Sequence, residues 1–134
     1  MKILVLDDEE IYFQFLKIMY SGHEVEYEKN PVAWLDKVEL EKKNLNEYNI
    51  IFCDFYFDNI SMNAFELNTS QYIRKYGFEN YLVLFSNGVF SDKSELESSE
   101  YFDLVVDKAD IEPLNTIIEK CEKSSLRSAW QKRF

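Results

Sequence analysis

The sequence predicts an α/β domain in which a five-stranded parallel sheet is doubly wound, with helices on both faces. Two patterns carry that expectation. Five short apolar runs recur at Ile3–Leu6, His23–Tyr27, Ile50–Cys53, Tyr81–Phe85 and Leu104–Val106, and stretches of helical period lie between them. Strands that alternate with helices pair in parallel, because a crossover helix must return the chain to the same end of the sheet. A length of 134 residues with 46% hydrophobic side chains and only 3 Gly and 2 Pro suits one domain with one ordinary core.

The runs differ in a useful way. The first, third and fourth are continuously apolar, as strands covered on both faces must be. The second alternates, with Val25 and Tyr27 set between Glu24, Glu26 and Glu28. That is an edge strand with one wet face. The first helical stretch has Ile11, Phe15, Ile18 and Met19 at the spacing of one face and stops at Ser21-Gly22. Asn30-Pro31 reads as an N-cap and a first-turn proline, opening a helix with Val32, Leu35 and Val38 inward. A third helix spans Ala64–Tyr76 and closes on Gly77. Ser91 caps a short polar fourth at Asp92–Ser99, and Pro113 opens a fifth with Leu114, Ile117, Ile118 and Cys121 on one face.

Charge narrows the partners. Twenty-five acids against fifteen bases give −10, a surface that repels phosphate backbones and anionic lipid, so neither nucleic acid nor membrane is expected as a partner. The first apolar run is too short for a signal-peptide core or a membrane span. Cys53 and Cys121 have no metal-ligand or CxxC spacing, which points to reduced thiols in a cytoplasmic chain. His23 has no carboxylate or cysteine partner at ligand spacing and reads as a surface histidine.

In an open α/β sheet, ligands bind beyond the carboxyl ends of the strands. The residues there are Asp7 and Asp8 after the first run, Asp54 after the third, Ser86 after the fourth, and Asp107-Lys108 after the fifth. The acids Asp7 to Glu10 would also suit the first turn of a helix, where the dipole favours negative charge. Asp54 is harder to dismiss. An ionised carboxylate directly after Ile-Ile-Phe-Cys lies at the mouth of the core, where uncompensated charge costs several kcal/mol. Lys108 offsets one of three negative charges. The remainder calls for a divalent cation, and an all-oxygen site suits Mg²⁺.

At these residues the sequence resembles the receiver domains of two-component response regulators, over residues 2 to 123. The matching pieces are the acid pair in ILVLDDEE, the acceptor in IIFCDF, the hydroxyl in LVLFSN and the lysine in LVVDKAD. The intervals of 46 residues from Asp8 to Asp54, 32 to Ser86 and 22 to Lys108 fit, the middle one slightly long. The resemblance implies a flavodoxin-like fold with strand order 2-1-3-4-5. It implies that Asp54 takes a phosphoryl group from a histidine kinase, a phosphotransfer protein or a small phosphodonor, with Ser86 and Lys108 on the phosphoryl oxygens. Asp7, Asp8, Asp54 and the backbone carbonyl of Tyr56 would hold Mg²⁺. The face formed by helix four, strand five and helix five would pass the change to a downstream protein, and homodimerisation is left open. Such a domain is mainly a signalling protein, although it catalyses its own phosphoryl transfer and dephosphorylation.

Four departures from the family pattern stand out. Ala109 follows the lysine in place of proline, so a trans bond is expected there. Val105 replaces the usual aromatic switch residue. The loop after Asp54 lacks the usual proline and glycine and is two residues long for the family. Asn87 and Tyr56 flank the acceptor site. The domain is expected over residues 1–123, with 124–134 a basic tail or an extension of the last helix. That tail carries Arg127, Lys132 and Arg133 and no acid, and Leu126, Trp130 and Phe134 form an apolar stripe if it is helical. It would either dock a partner or pack on its own domain.

Three alternatives remain at this level. A pseudo-receiver would bind proteins without phosphorylation, but it usually loses one of the acids, the hydroxyl or the lysine. A Mg²⁺-dependent aspartyl phosphatase would want an acid at Tyr56. A flavodoxin-like cofactor carrier would want a phosphate-binding loop after strand one. Because Tyr56 is expected to restrict water at the acceptor, Tyr56→Ala should speed loss of phosphate from the phosphorylated protein. An unchanged dephosphorylation rate, followed by intact-protein mass, would remove Tyr56 from that role.

Overall fold

The computed structural model describes residues 1–54, 56–57, 62–63, 73–86 and 102–122. Five strands, β1 (Lys2–Leu6), β2 (Glu24–Glu28), β3 (Ile50–Cys53), β6 (Tyr81–Ser86) and β7 (Leu104–Asp107), form one sheet in the order β2-β1-β3-β6-β7, and every pair is parallel. Counting only these five, the order is 2-1-3-4-5, as expected. The expected second strand is shifted by one residue, from His23–Tyr27 to Glu24–Glu28. Two short strands, β4 (Tyr56–Phe57) and β5 (Met62–Asn63), pair antiparallel within the segment after Asp54, where the sequence predicts only a loop.

Alternation along the strands splits the core in two. Leu4, Leu6, Ile51, Cys53, Leu82, Leu84 and Val105 face one side with Trp34, Val38 and Ile73. Ile3, Val5, Ile50, Phe52, Val83, Phe85 and Val106 face the other with Leu16, Tyr20, Leu114, Ile117 and Cys121. Both faces of β1, β3 and β6 are therefore covered, which is why their sequences are continuously apolar. The edge strand β2 is only partly buried, in line with its alternating glutamates.

The first helix, α1 (Glu10–Met19), keeps Phe15 and Met19 of the predicted face against the core but turns Ile11 and Ile18 outward. Leu16 is buried and Tyr12, Phe13, Phe15 and Met19 pack against the core, whereas Ile11 and Ile18 are 70% and 76% exposed. Apolar residues occupy so many positions of this helix that two stripes are available. Residues 12, 16 and 19 run along one and residues 11, 15 and 18 along the other, and packing on the sheet selects the first, with Phe15 at its margin and Ile11 and Ile18 left outside. The helix α2 (Pro31–Glu41) starts as expected: Asn30 Oδ1 accepts the Ala33 N–H at 3.1 Å. Its buried residues include Val38, as predicted, and also Trp34, which the predicted inward face does not contain; Leu35 lies at the margin.

Of the third predicted helix, residues 64–72 lie outside the described ones and residues 73–75 are helical, and the chain leaves them through Gly77 at φ 97°. The Phe78 N–H returns to the Ile73 carbonyl and the Gly77 N–H to the Arg74 carbonyl, the helix ending that glycine permits without steric cost. The last helical segment opens as a 3-10 turn at Glu112–Thr116, with Pro113 in its first turn, and continues through residues 117–122. It buries Leu114, Ile117 and Cys121. The Tyr20 hydroxyl donates to the Leu114 carbonyl at 2.8 Å, tying the end of α1 to this segment. The fourth predicted helix and the 124–134 tail lie outside the described residues. Among the described residues, no helix is long and apolar enough to cross a membrane.

Phe52 is 1% exposed and meets the rings of Tyr20 and Phe85 at centroid distances of 6.1 Å each. Phe52→Ala removes this central ring and leaves a cavity, so urea denaturation should show a loss of about 3–5 kcal/mol in unfolding free energy.

Candidate functional site

Each residue of the site stands at or just past the end of a strand, and backbone hydrogen bonds continue the ladders that far. The Asp7 N–H donates to the Glu28 carbonyl at 3.3 Å, the Asp54 N–H to the Leu6 carbonyl at 3.0 Å, and the Lys108 N–H to the Ser86 carbonyl at 2.9 Å. Side chains far apart in sequence are thus delivered to one end of the sheet by rigid backbone. The register sets Ser86 beside Asp107, immediately before Lys108.

Asp7, Asp8 and Asp54 converge. One carboxylate oxygen from each lies within 4.8 Å of the others. Lys108 Nζ is 2.8 Å from Asp7 Oδ2 and 3.3 Å from Asp54 Oδ2, and the side chains of Lys108, Asp7 and Asp54 are almost fully buried. The other oxygen of Asp7 accepts the Glu9 N–H at 2.9 Å, just before α1 begins. Asp7 therefore bridges the helix entrance and the lysine.

The electrostatics are unbalanced. Burial pushes Asp7 upward, the charge of Asp54 adds to that, and Lys108 and the Glu9 N–H only partly oppose it. The result is a carboxyl titrating at about 7 in place of the ordinary 3.8. For Lys108, burial works to lower the ammonium, but Asp54 and Asp7 outweigh it and hold it above its usual range. The lysine is charged and Asp7 is poised. The clustered carboxylates of Asp7, Asp8 and Asp54 form an all-oxygen donor set of the kind that suits Mg²⁺.

The remaining predicted site residues divide. Ser86 is 1% exposed, and its Oγ has no hydrogen-bond partner among the described residues. The backbone of Tyr56 lies on β4, two residues beyond Asp54 and paired with Asn63. Asn87 lies outside the described residues. Val105 is buried in the core, and the peptide bond before Ala109 is trans, as expected. The Ala109 N–H donates to Asp107 Oδ1 at 2.8 Å. Cys53 points into the core, where burial and then the nearby Asp54 and Asp7 charges push its thiol up and keep it protonated. His23 lies at the opposite end of the sheet, its Nδ1 2.8 Å from the Met1 nitrogen.

Two aromatic neighbours join the site that the sequence pattern does not mark. The Tyr12 ring centroid is 3.7 Å from Lys108 Nζ. Tyr27, near the end of the edge strand, stacks on Phe13 at 4.7 Å. Burial, followed by the charges of Asp7, Glu10 and Asp8, pushes its hydroxyl up to about 12. Tyr12 lies in the first turn of α1, just after the acid run Asp7–Glu10. Nothing in a single sequence says which way its ring turns.

The Asp7 shift has a testable sign. Its native value lies above the unfolded one, so the folded chain holds a proton that the unfolded chain has released. Its contribution to stability is therefore lost as pH rises toward 7, and the cost of ionising it is complete above that. A divalent cation held by Asp7 would have to displace that proton and would relieve the repulsion. Mg²⁺ should accordingly raise Tm more at about pH 8 than at about pH 6. Calorimetry that found equal shifts would contradict a site built on Asp7.

No protein-family profile and no curated protein matches the sequence, but solved structures do match. A response regulator receiver domain protein from Clostridium thermocellum is 19% identical, with a TM-score of 0.70 over 93% of this chain and 97% of that one. The response regulator TrrA from Thermotoga maritima, solved in complex with Mg²⁺-BeF, is 23% identical, with a TM-score of 0.64 over 90% and 97%. A CheY-like receiver domain protein from Methanospirillum hungatei is 18% identical, with a TM-score of 0.70 over 94% and 97%. In strand order, two-sided core and extent, this chain has the fold of the response regulator receiver domains.

Proposed function

We propose that this protein is a phosphorylation-dependent signalling switch that accepts a phosphoryl group on Asp54 and thereby changes how its surface binds a partner protein. The observation that carries the reading is Lys108 Nζ set between Asp7 and Asp54, at 2.8 and 3.3 Å, with Asp8 beside them. The fold shared with receiver domains supports it.

Phosphoryl transfer asks little covalent chemistry of a protein and much positioning and charge neutralisation. In this reading, a carboxylate oxygen of Asp54 attacks phosphorus. The bond from phosphorus to a histidine nitrogen of a kinase or phosphotransfer protein breaks, or the bond to the oxygen of an acyl phosphate. The leaving group keeps the electron pair. Lys108 stays charged and pairs with the transferred oxygens. Ser86 supplies an O–H donor to them, and the lack of another partner for its buried Oγ among the described residues supports that role. A buried unmade hydrogen bond costs about 1–3 kcal/mol, which a phosphoryl oxygen would relieve.

Asp7, Asp8, Asp54 and the Tyr56 carbonyl are the proposed Mg²⁺ ligands, and the clustered carboxylates fit that ion. When bound, it would neutralise charge on the phosphoryl oxygens. The output surface is proposed at the fourth helix, β7 and the last helical segment. Val105 is buried there and has no ring to swing, so the change would pass through the backbone around Ser86 and Lys108. A downstream partner protein follows from this reading, in a cytoplasmic setting.

Incubation with acetyl phosphate and Mg²⁺ should give one phosphate-mass adduct, absent with EDTA and absent in Asp54→Asn. If no adduct forms, and beryllofluoride with Mg²⁺ leaves tyrosine and tryptophan fluorescence unchanged, the chain is instead a phosphorylation-independent binding module.

A further inference from the structure

Lys108 is enclosed on more sides than the two carboxylates account for. Its Nζ lies 3.7 Å from the centroid of the Tyr12 ring and 5.7 Å from that of Phe85. An ammonium over the face of an aromatic ring is attracted by the ring quadrupole, and most strongly where water is excluded. The Lys108 side chain is only 3% exposed, so this contact lies in the regime where it matters.

The ring is itself held in place. Tyr12 meets Phe85 edge-on, with centroids 5.9 Å apart and planes at 88°, and Phe85 meets Phe52 at 6.1 Å and 70°. Phe85 immediately precedes Ser86 on β6. A row of aromatic contacts thus runs from the buried core to the lysine, and Tyr12 is its outermost member. The Tyr12 backbone is fixed as well, since its N–H donates to the Glu9 carbonyl at the start of α1.

We propose that Tyr12 is a positioning residue for Lys108: the face of its ring holds the ammonium toward Asp54 and closes the α1 side of the acceptor site to water. This rests on the reading of Asp54 as phosphoacceptor and extends it to a residue outside the acids, the hydroxyl and the lysine. Lys108 Nζ thus has Asp7 at 2.8 Å, Asp54 at 3.3 Å and the Tyr12 ring at 3.7 Å. A flexible four-carbon side chain would otherwise sample several rotamers. With the ring behind it, the charge stays where the transferred oxygens arrive.

The test separates geometry from function. A lysine end lying over a ring face experiences a ring current, so in ¹³C-resolved NMR the Lys108 ε-methylene protons should be displaced upfield. The resonance is assigned by its disappearance in Lys108→Arg. The displacement should persist in Tyr12→Phe and vanish in Tyr12→Leu, which keeps apolar volume without a π face. With acetyl phosphate and Mg²⁺, Tyr12→Leu should be phosphorylated about tenfold more slowly, the size expected for one desolvated cation–π contact. Tyr12→Phe should recover most of the rate. Thermal melting of both variants identifies any loss caused by unfolding.

An undisplaced wild-type resonance, or a Tyr12→Leu protein phosphorylated at the wild-type rate, overturns the proposal. If the wild type accepts no phosphate at all, the acceptor reading fails, and the NMR comparison alone decides whether Tyr12 positions the lysine.

Discussion

Lys108 brings a single positive charge into a pocket where Asp7 and Asp54 are both buried, and the carboxyl end of the sheet is organised around that imbalance. A buried ion pair is weak evidence of stability, because desolvation offsets most of the Coulomb gain. Here there are three acids for one base, and the cost surfaces in the titration of Asp7 near neutrality. Such a site is held in place by the rest of the fold. In the proposed function, such a site would accept a cation, or a group whose oxygens the lysine can meet.

The holding is done by backbone. Hydrogen bonds from Asp7, Asp54 and Lys108 to neighbouring strands fix their positions before any side-chain interaction is counted. Behind them, the two apolar faces of the sheet leave the strands no freedom of register, because a slip by one residue would turn each core side chain to the opposite face. The charged end is therefore mounted on a frame whose stability comes from elsewhere. Perturbed groups concentrate at such places when a site is built for chemistry.

The aromatic residues link these two levels. Tyr20, Phe52, Phe85 and Tyr12 form successive ring contacts that begin in the core and end at the ammonium. They draw on a chain that is 16% aromatic. Part of that content is core filling, as at Phe52. At Tyr12, the same kind of ring faces a charge.

The strands are legible in the sequence because short, continuously apolar runs separated by helical stretches have nowhere to go but the middle of a covered sheet. The strand ends then mark Asp7, Asp8, Asp54, Ser86 and Lys108 without any knowledge of the fold in space. What the linear pattern leaves undetermined is direction. On α1, Ile11 and Ile18 fit one apolar stripe as well as Tyr12 and Leu16 fit another, and on α2 the buried Trp34 falls outside the stripe that the pattern selects. The short β4–β5 pairing is hidden too, since two-residue strands leave no periodicity to read. Periodicity is a local property, and it determines the elements and the residues that end them. Which face of a helix meets the sheet is settled by shape and burial across the whole core. Only the tertiary structure could therefore turn Tyr12 toward Lys108 and raise Asp7 by burying it beside Asp54.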